Sequence, residues 1–325
     1  MRFSFRQIEV FVAIARAENV SQAARSLAMS QSAASSALSE LERQFDRPLF
    51  DRVGKSVLLN ETGRLLLPRA VELLDRAGEL EALLRGRTVF GAIRLGATLT
   101  IGNYLATLIV AEYLRLHPEC RARLEVHNTA RIVEQLQRFE LDLGLIEGQC
   151  RAPELAVERW IADELVVFCA PSHRLAGRGD VAIEELADEA WILRERGSGT
   201  RETFDHAIRH VDATPAVRLE LEHTEAIKRA VESGLGLGCI SRLALKDAFR
   251  RRTLAPIEVP GLDLARHFHF VWHRQKYQSE ATRAFLGLCR SFSDGAARSD
   301  QIAVTSVPEG RDDQPLARDS DDRLR

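Results

Sequence analysis

Apolar residues in the first sixty positions recur every three or four residues and then switch to short alternating runs. Ile8, Phe11, Val12 and Ala15 predict a helix over about 4–17. A shorter helix over about 20–27 turns Ala23, Ala24 and Leu27 inward, with Asn19 as its cap and Gln22 completing a variant of the capping box. Ala28-Met29-Ser30-Gln31 makes a turn, and Ser30 caps a third helix over about 31–44. Its apolar face is Ala34, Leu38, Leu41 and Phe45. Phe50 to Leu59 reads as two short strands around Gly54, a small wing. Asn60 then opens a helix to about Gly86, in which Leu66, Ala70, Leu73, Ala77, Leu80 and Leu84 form a heptad seam. A seam of that kind fits a partner helix, or packing on its own domain. Pro68 removes one helical hydrogen bond and predicts a bend near the start.

Beyond residue 90 the pattern alternates strand and helix. Ala92–Ala97, Leu124–His127 and Leu141–Ile146 read as strands, with helices over about 102–116 and from Asn128-Thr129 between them. That order predicts a parallel sheet with right-handed crossovers, and ligands then sit beyond the carboxyl ends of the strands. Thr98, Thr100, Asn128, Thr129 and Glu147 fall at that edge. A second set of strands starts at Glu164–Ala170 and Ala190–Leu193; His267–Trp272 returns to the first set and precedes a helix near 279–291. Residues 293–325 are polar, rich in charge and nearly free of large apolar side chains, a composition expected to be disordered.

With 325 residues and 45% hydrophobic content the chain can build two or three cored domains. No run of 18 apolar residues predicts a membrane span, and the N-terminus lacks the pattern of an export signal. The five cysteines, at 120, 150, 169, 239 and 289, show no paired spacing, which argues against a disulfide framework or zinc site and suits a reducing cytoplasm. No metal or other cofactor is expected. Net charge is −2, yet residues 1–60 carry 8 basic and 6 acidic side chains while 293–325 carry 5 basic and 8 acidic ones. So mild a positive head implies few phosphate contacts per subunit and a need for two subunits.

The third helix opens with Gln31, Ser32, Ser35, Ser36 and Ser39 on its polar face. Small polar residues at a helix N-terminus allow close approach to a phosphate or base edge, and Gln can pair with adenine in a bidentate way. Taken alone, the same serines fit a solvated face. Ser21 in the second helix and the capping Ser30 are assigned to the same DNA face, and Arg52 and Lys55 lie at the wing tip, where they can neutralise phosphates. Helix, helix, recognition helix and basic wing within sixty residues is a specific arrangement.

Within residues 5–70, the runs RQIEVFVAIA, SQAARSL, LERQF, PLFDR and LNETGRLLLPRA resemble the DNA-binding half of the LysR-type transcriptional regulators. The departure is at Ser36 and Ala37, where many members carry long polar side chains; base readout then rests on Gln31, Ser32 and DNA shape. The resemblance extends to about residue 292. There GATLTIGNYL, LIEG, DELVVFCAPSHRLA and RERGSGTR are most similar to members that sense small anions, such as sulfite-responsive or carbon-fixation regulators. It implies a multidomain α+β chain: a winged helix-turn-helix over 1–59, a linker and dimerisation helix over 60–88, and a two-lobed α/β domain over 91–292 like periplasmic binding proteins. Lobe I would comprise 91–161 and 267–292, and lobe II 162–266. It further implies a homodimer, usually a homotetramer, on a roughly palindromic DNA operator.

Gly197 and Gly199, alternating with Ser198 and Thr200, leave bare N–H groups at a helix start, which suits an anion. Both hydroxyls also fit ordinary capping. Glu147 would repel an anion unless protonated or paired, with Arg201 as a candidate partner, and it also fits a loop-surface acid. An enzyme on the α/β half is the competing class. Gly234–Gly238 enters a strand rather than leaving one, so it fails the dinucleotide test, and His206 with His210 lacks a third ligand nearby. The expected mechanism is a population shift in which ligand-driven lobe closure re-aims the paired heads.

Overall fold

The computed structural model describes residues 2–53, 56–84, 91–186, 188–209 and 215–303. Three helices, α1 (Phe5–Ala17), α2 (Val20–Ser26) and α3 (Gln31–Phe45), form the head with the hairpin β1 (Phe50–Val53) and β2 (Ser56–Leu59). Each helix starts where a short polar side chain takes an otherwise unpaired N–H. Ser4 and Gln7 form a reciprocal capping box, Asn19 accepts from Gln22 N, and Ser30 accepts from Ala33 N. Phe11, Ile14, Ala23, Ala34, Leu38 and Leu41 fill the core. Phe45 departs from expectation. It is exposed beside the Phe3 ring, because α3 ends there with Asp46 in the left-handed region.

Helix α4 (Glu61–Leu84) runs through Pro68 and is capped by Asn60, whose Oδ1 accepts from Gly63 N at 2.9 Å. A Cβ on Gly63 would lie 2.2 Å from the Leu49 carbonyl oxygen, so helix and wing touch backbone to backbone. The heptad seam divides. Leu66, Ala70 and Leu73 pack on the head's own core, whereas Leu80 and Leu84 are 58% and 80% exposed.

The remaining strands form one nine-stranded sheet bent into two lobes. In lobe I, β3 (Ala92–Thr98) pairs in parallel with β4 (Arg121–His127) and β5 (Leu143–Glu147). A continuous helical stretch leaves β3: α5 (Leu99–Ile101), a π-helical segment (Gly102–Ala106) and α6 (Thr107–Leu116), so the helix starts three residues earlier than expected. Helix α7 (Thr129–Gln137) follows β4. The fifteen-residue β6 (Leu155–Cys169) then crosses to lobe II, where β7 (Ala190–Arg194), α8 (Gly199–Ile208), β8 (Ala216–Leu221), α9 (Thr224–Glu232), β9 (Leu237–Ser241), α10 (Arg242–Arg251) and β10 (Ala255–Ile257) follow. Strand β11 (Ala265–His273) returns antiparallel to both β6 and β5, and α11 (Glu280–Ser293) closes lobe I.

Order does not stop at residue 293, as composition alone suggests. Residues 299–301 form a 3-10 turn, Ser299 is 1% exposed, and Ile302 is buried in the lobe I core. One apolar anchor and one satisfied hydroxyl offset the ordering cost of a short segment. Residues 304–325 lie outside the described residues, as do Lys55 at the wing tip and His210.

The head and lobe I meet in a charged joint. Arg16 of α1 donates to the Phe139 carbonyl at 2.7 Å, and Phe139 packs into the head's core. Burial and the neighbouring Arg94 pull the Arg16 guanidinium down to about 10. From α4, Asp75 pairs with Lys276 at 3.0 Å; Lys276 also reaches Asp142 at 3.0 Å, and Arg94 binds Asp142 at 2.7 Å. Burial alone would raise the Asp142 carboxyl, but Lys276 and Arg94 outweigh it and hold it below the usual carboxylate range. Its stabilisation is therefore complete above the ordinary carboxylate value, about 3.9, and is lost as pH falls through the depressed one. The variant Asp142→Asn should lose about 3 kcal/mol at pH 7, leaving Lys276 and Arg94 short of a partner. In denaturant unfolding the gap to the parent chain should narrow below about pH 4; an equal gap at pH 7 and pH 3.5 would show that charge is not its source.

Candidate functional site

The exposed end of α3 carries the polar side chains singled out from sequence. Gln31, Ser32 and Ser36 are exposed, Ser35 and Ser21 are half-buried, and the capping Ser30 meets Ser32 hydroxyl to hydroxyl at 3.0 Å. The turn that aims this helix is braced. Arg6 of α1 donates to the Leu27 carbonyl at 2.9 Å, and Ala28 takes a left-handed conformation (φ 51°). In the wing, Arg52 is exposed and pairs across the hairpin with Val57, whose N–H donates to the Glu18 carbonyl at the end of α1. Wing and α3 are thus both fixed to one scaffold helix, α1.

A second site lies between the lobes, at the carboxyl ends of the parallel strands. Thr98, Thr100, Thr129, Ser198 and Thr200 are all buried, and Asn128 caps α7 by accepting from Arg131 N. The lobes touch here. Thr129 donates to the Glu147 carbonyl at 3.1 Å and accepts from Gly199 N at 3.2 Å, and Ala130 N donates to the Gly197 carbonyl. Gly148 (φ 86°) and Gly199 must be glycines for steric reasons: a Cβ on Gly199 would lie 2.0 Å from the Glu147 carbonyl oxygen. On another side of the cleft, the Tyr104 hydroxyl of the π-helical segment donates to Glu225 in α9, and Lys228 holds the same carboxylate at 2.8 Å.

Three hydroxyls in this region are buried without a hydrogen-bond partner: Thr98 Oγ1, Ser198 Oγ and Thr224 Oγ1. Each stands at a helix N-terminus, before α5, before α8 and in the first turn of α9. Neither Thr98 nor Ser198 bonds its own helix. Buried hydroxyls left unmatched at positive helix ends suit an acceptor-rich guest.

Glu147 is paired, but not with Arg201. Arg201 on α8 turns toward β8, binding Glu220 at 3.0 Å, Asp205 at 2.9 Å and the Arg194 carbonyl at 3.0 Å. The partner of Glu147 is Arg266, from the returning strand, at 2.5 Å. Sequence reasoning missed this residue. Its signal was a lone arginine on the inward side of the alternating run Arg266-His267-Phe268-His269-Phe270. Arg266 spends its other donors on Asp163 at 2.7 Å and Thr200 at 3.0 Å. Burial alone would lower its basicity, but Glu147 and Asp163 push it upward, so it stays charged. Among the described residues no three His, Cys, Asp or Glu side chains could jointly hold a metal ion, and no helix is long and apolar enough to cross a membrane.

Comparison with known proteins identifies both halves. Residues 5–64 match the bacterial regulatory helix-turn-helix protein, lysR family, and residues 86–293 match the LysR substrate binding domain. The HTH-type transcriptional regulator YeiE of Escherichia coli (strain K12) is 45% identical over 289 residues, spanning 89% of this chain and 98% of its own length. The RuBisCO operon transcriptional regulator of Allochromatium vinosum is 32% identical over 287 residues, 88% of this chain and 95% of its own. The regulatory domain of Synechocystis PCC6803 CcmR, solved in complex with 2-PG, superposes with a TM-score of 0.60 at 28% identity, covering 63% of this chain and 99% of that domain. These relatives are transcriptional regulators rather than enzymes. The helix-turn-helix match precedes the substrate-binding-domain match along one polypeptide, and the chain belongs to the LysR family of transcriptional regulators.

Proposed function

We propose that this regulator binds a small oxyanion between its lobes and transmits its presence to a paired set of DNA-reading heads in the cytoplasm. The observation that carries the anion reading is the set of unpartnered buried hydroxyls, Thr98, Ser198 and Thr224, at helix N-termini of both lobes. Arg266 holds the Glu147 carboxylate and, although it is shared with Asp163, lessens the repulsion that Glu147 would exert on an anion. A relative that holds 2-PG in the equivalent domain supports the same reading. Thr100, Thr129, Asn128 and Thr200 are assigned to the walls of this site, and Ser21, Ser30, Gln31, Ser32, Ser35, Ser36, Arg52 and Lys55 to the DNA face.

The partner for the heads is a second copy of the chain. A groove of about 400 Å³ between head and α4 is lined by Phe3, Ile8, Leu41, Phe45, Leu49 and Leu66. Leu80 and Leu84 stand exposed further along the same helix. Crossing two α4 helices would cover both, placing two recognition helices on a roughly palindromic operator. In size-exclusion chromatography with light scattering, Leu80→Glu should convert the parent assembly to monomer and abolish tight operator binding; an unchanged assembly would overturn this seam.

A thermal-shift screen of the full chain against sulfite, phosphate and 2-PG tests the cleft. An anion at 100 times its dissociation constant should add about 2.7 kcal/mol of stability. Ser198→Ala should remove most of that gain at little cost to folding, since its hydroxyl bonds nothing in the protein. Stabilisation only by neutral or cationic compounds would sink the anion reading. For the wing, Arg52→Ala should weaken specific and random DNA alike and reduce the salt slope by about one unit. A loss confined to one base position would contradict the phosphate role.

A further inference from the structure

Two strands cross between the lobes, and a third segment of chain lies against them. At the crossing, Asp163 of β6 and Arg266 of β11 face each other in register. Arg298 forms a parallel bridge with Ala162 immediately before that point. The next residue, Ser299, donates to Asp163 Oδ1 at 2.5 Å, beside Ser241, which donates to the same oxygen at 2.7 Å. Arg266 occupies Oδ2. The segment is tied on all sides. Trp160 Nε1 donates to Ser293 at 3.0 Å, Arg298 reaches Glu164 at 3.2 Å, Lys246 of lobe II donates to the Asp300 carbonyl, and Ile302 sits in the core of lobe I.

We propose that residues 298–302 are a third hinge element, and that Ser299 is a positioning residue for the effector cleft. This rests on the cleft being the effector site. A carboxylate holding three charge-assisted bonds has one orientation. Ser299 helps fix Asp163, Asp163 fixes the Arg266 fork, and the fork places Thr200 and holds Glu147. Without the Ser299 hydroxyl, Asp163 Oδ1 keeps only the longer bond from Ser241, so the carboxylate draws harder on Arg266 and weakens the guanidinium's hold on Glu147 at the cleft. An anion then binds more weakly, although Ser299 never touches it.

The test uses the full chain and isothermal titration with sulfite, phosphate and 2-PG. Ser299→Ala should weaken the bound anion about tenfold, the scale of a lost hydrogen bond to a charged group. Ser299→Thr, which keeps the hydroxyl, should restore affinity to within about twofold, and combining Ser299→Ala with Glu147→Gln should cost little more than Glu147→Gln alone. Parent-like affinity in Ser299→Ala, or a loss that adds in full to the effect of Glu147→Gln, would overturn the proposal. If the parent chain binds none of the three probes, the anion reading falls, and hydrogen exchange decides the hinge separately. Selective loss of amide protection at 162–164 and 265–267 in Ser299→Ala supports the third element; unchanged protection there refutes it.

Discussion

A guanidinium buried where two strands cross sets the relation between the lobes. Burying a charge is costly, and the cost is met only when every donor finds an acceptor in good geometry. Each of the three Arg266 guanidinium nitrogens donates once, to Glu147 from lobe I, Thr200 from lobe II and Asp163 on the crossing strand itself. Its acceptors therefore span the very elements that a hinge motion separates. Intermediate openings would strand part of the fork, so the lobes are expected to occupy discrete arrangements rather than a continuum. That is the property a switch needs.

The path between cleft and heads is short. Lobe I presents Asp142, Lys276 and Phe139 to α4 and α1, which answer with Asp75 and Arg16. Asp142 also takes the Arg94 backbone N–H at 2.7 Å, at the start of the strand that ends in Thr98. One strand thus has the joint at one end and the cleft at the other. A displacement of β3 along its axis would be felt at both ends, without any chain of intermediates.

Local signals in the sequence carried most of the fold. Asn19, Ser30, Asn60 and Asn128 cap the helices that their residue types suggest, because capping depends only on the next three N–H groups. The threonines at the strand ends were legible because they follow directly on strands that the apolar pattern marks out. What stayed hidden depends on distance along the chain. Arg266 lies 119 residues from Glu147 and 103 from Asp163, and no periodicity links them. Ser299 and Ile302 were lost in the averaged polarity of the segment around them, since one buried anchor hardly moves a composition. The heptad seam was legible as a seam but not as a divided one: whether Ala70 faces its own head or a partner is decided by the loop that brings the wing against α4.

The joint between head and sensor also bears on how far this chain is made of interchangeable parts. Phe139 belongs to the lobe I sequence yet is buried in the head's core, and Lys276 answers an aspartate on the linker helix. A sensor excised after the linker would present a bare aromatic ring and a lysine stripped of half its counter-charge. A foreign head grafted onto this sensor would need equivalents of Arg16 and Asp75 before it could sit correctly. Chimeras that respect only the domain boundary would therefore lose regulation while keeping both folds, and the unit of transplantation is the head, its linker and the rim of lobe I together.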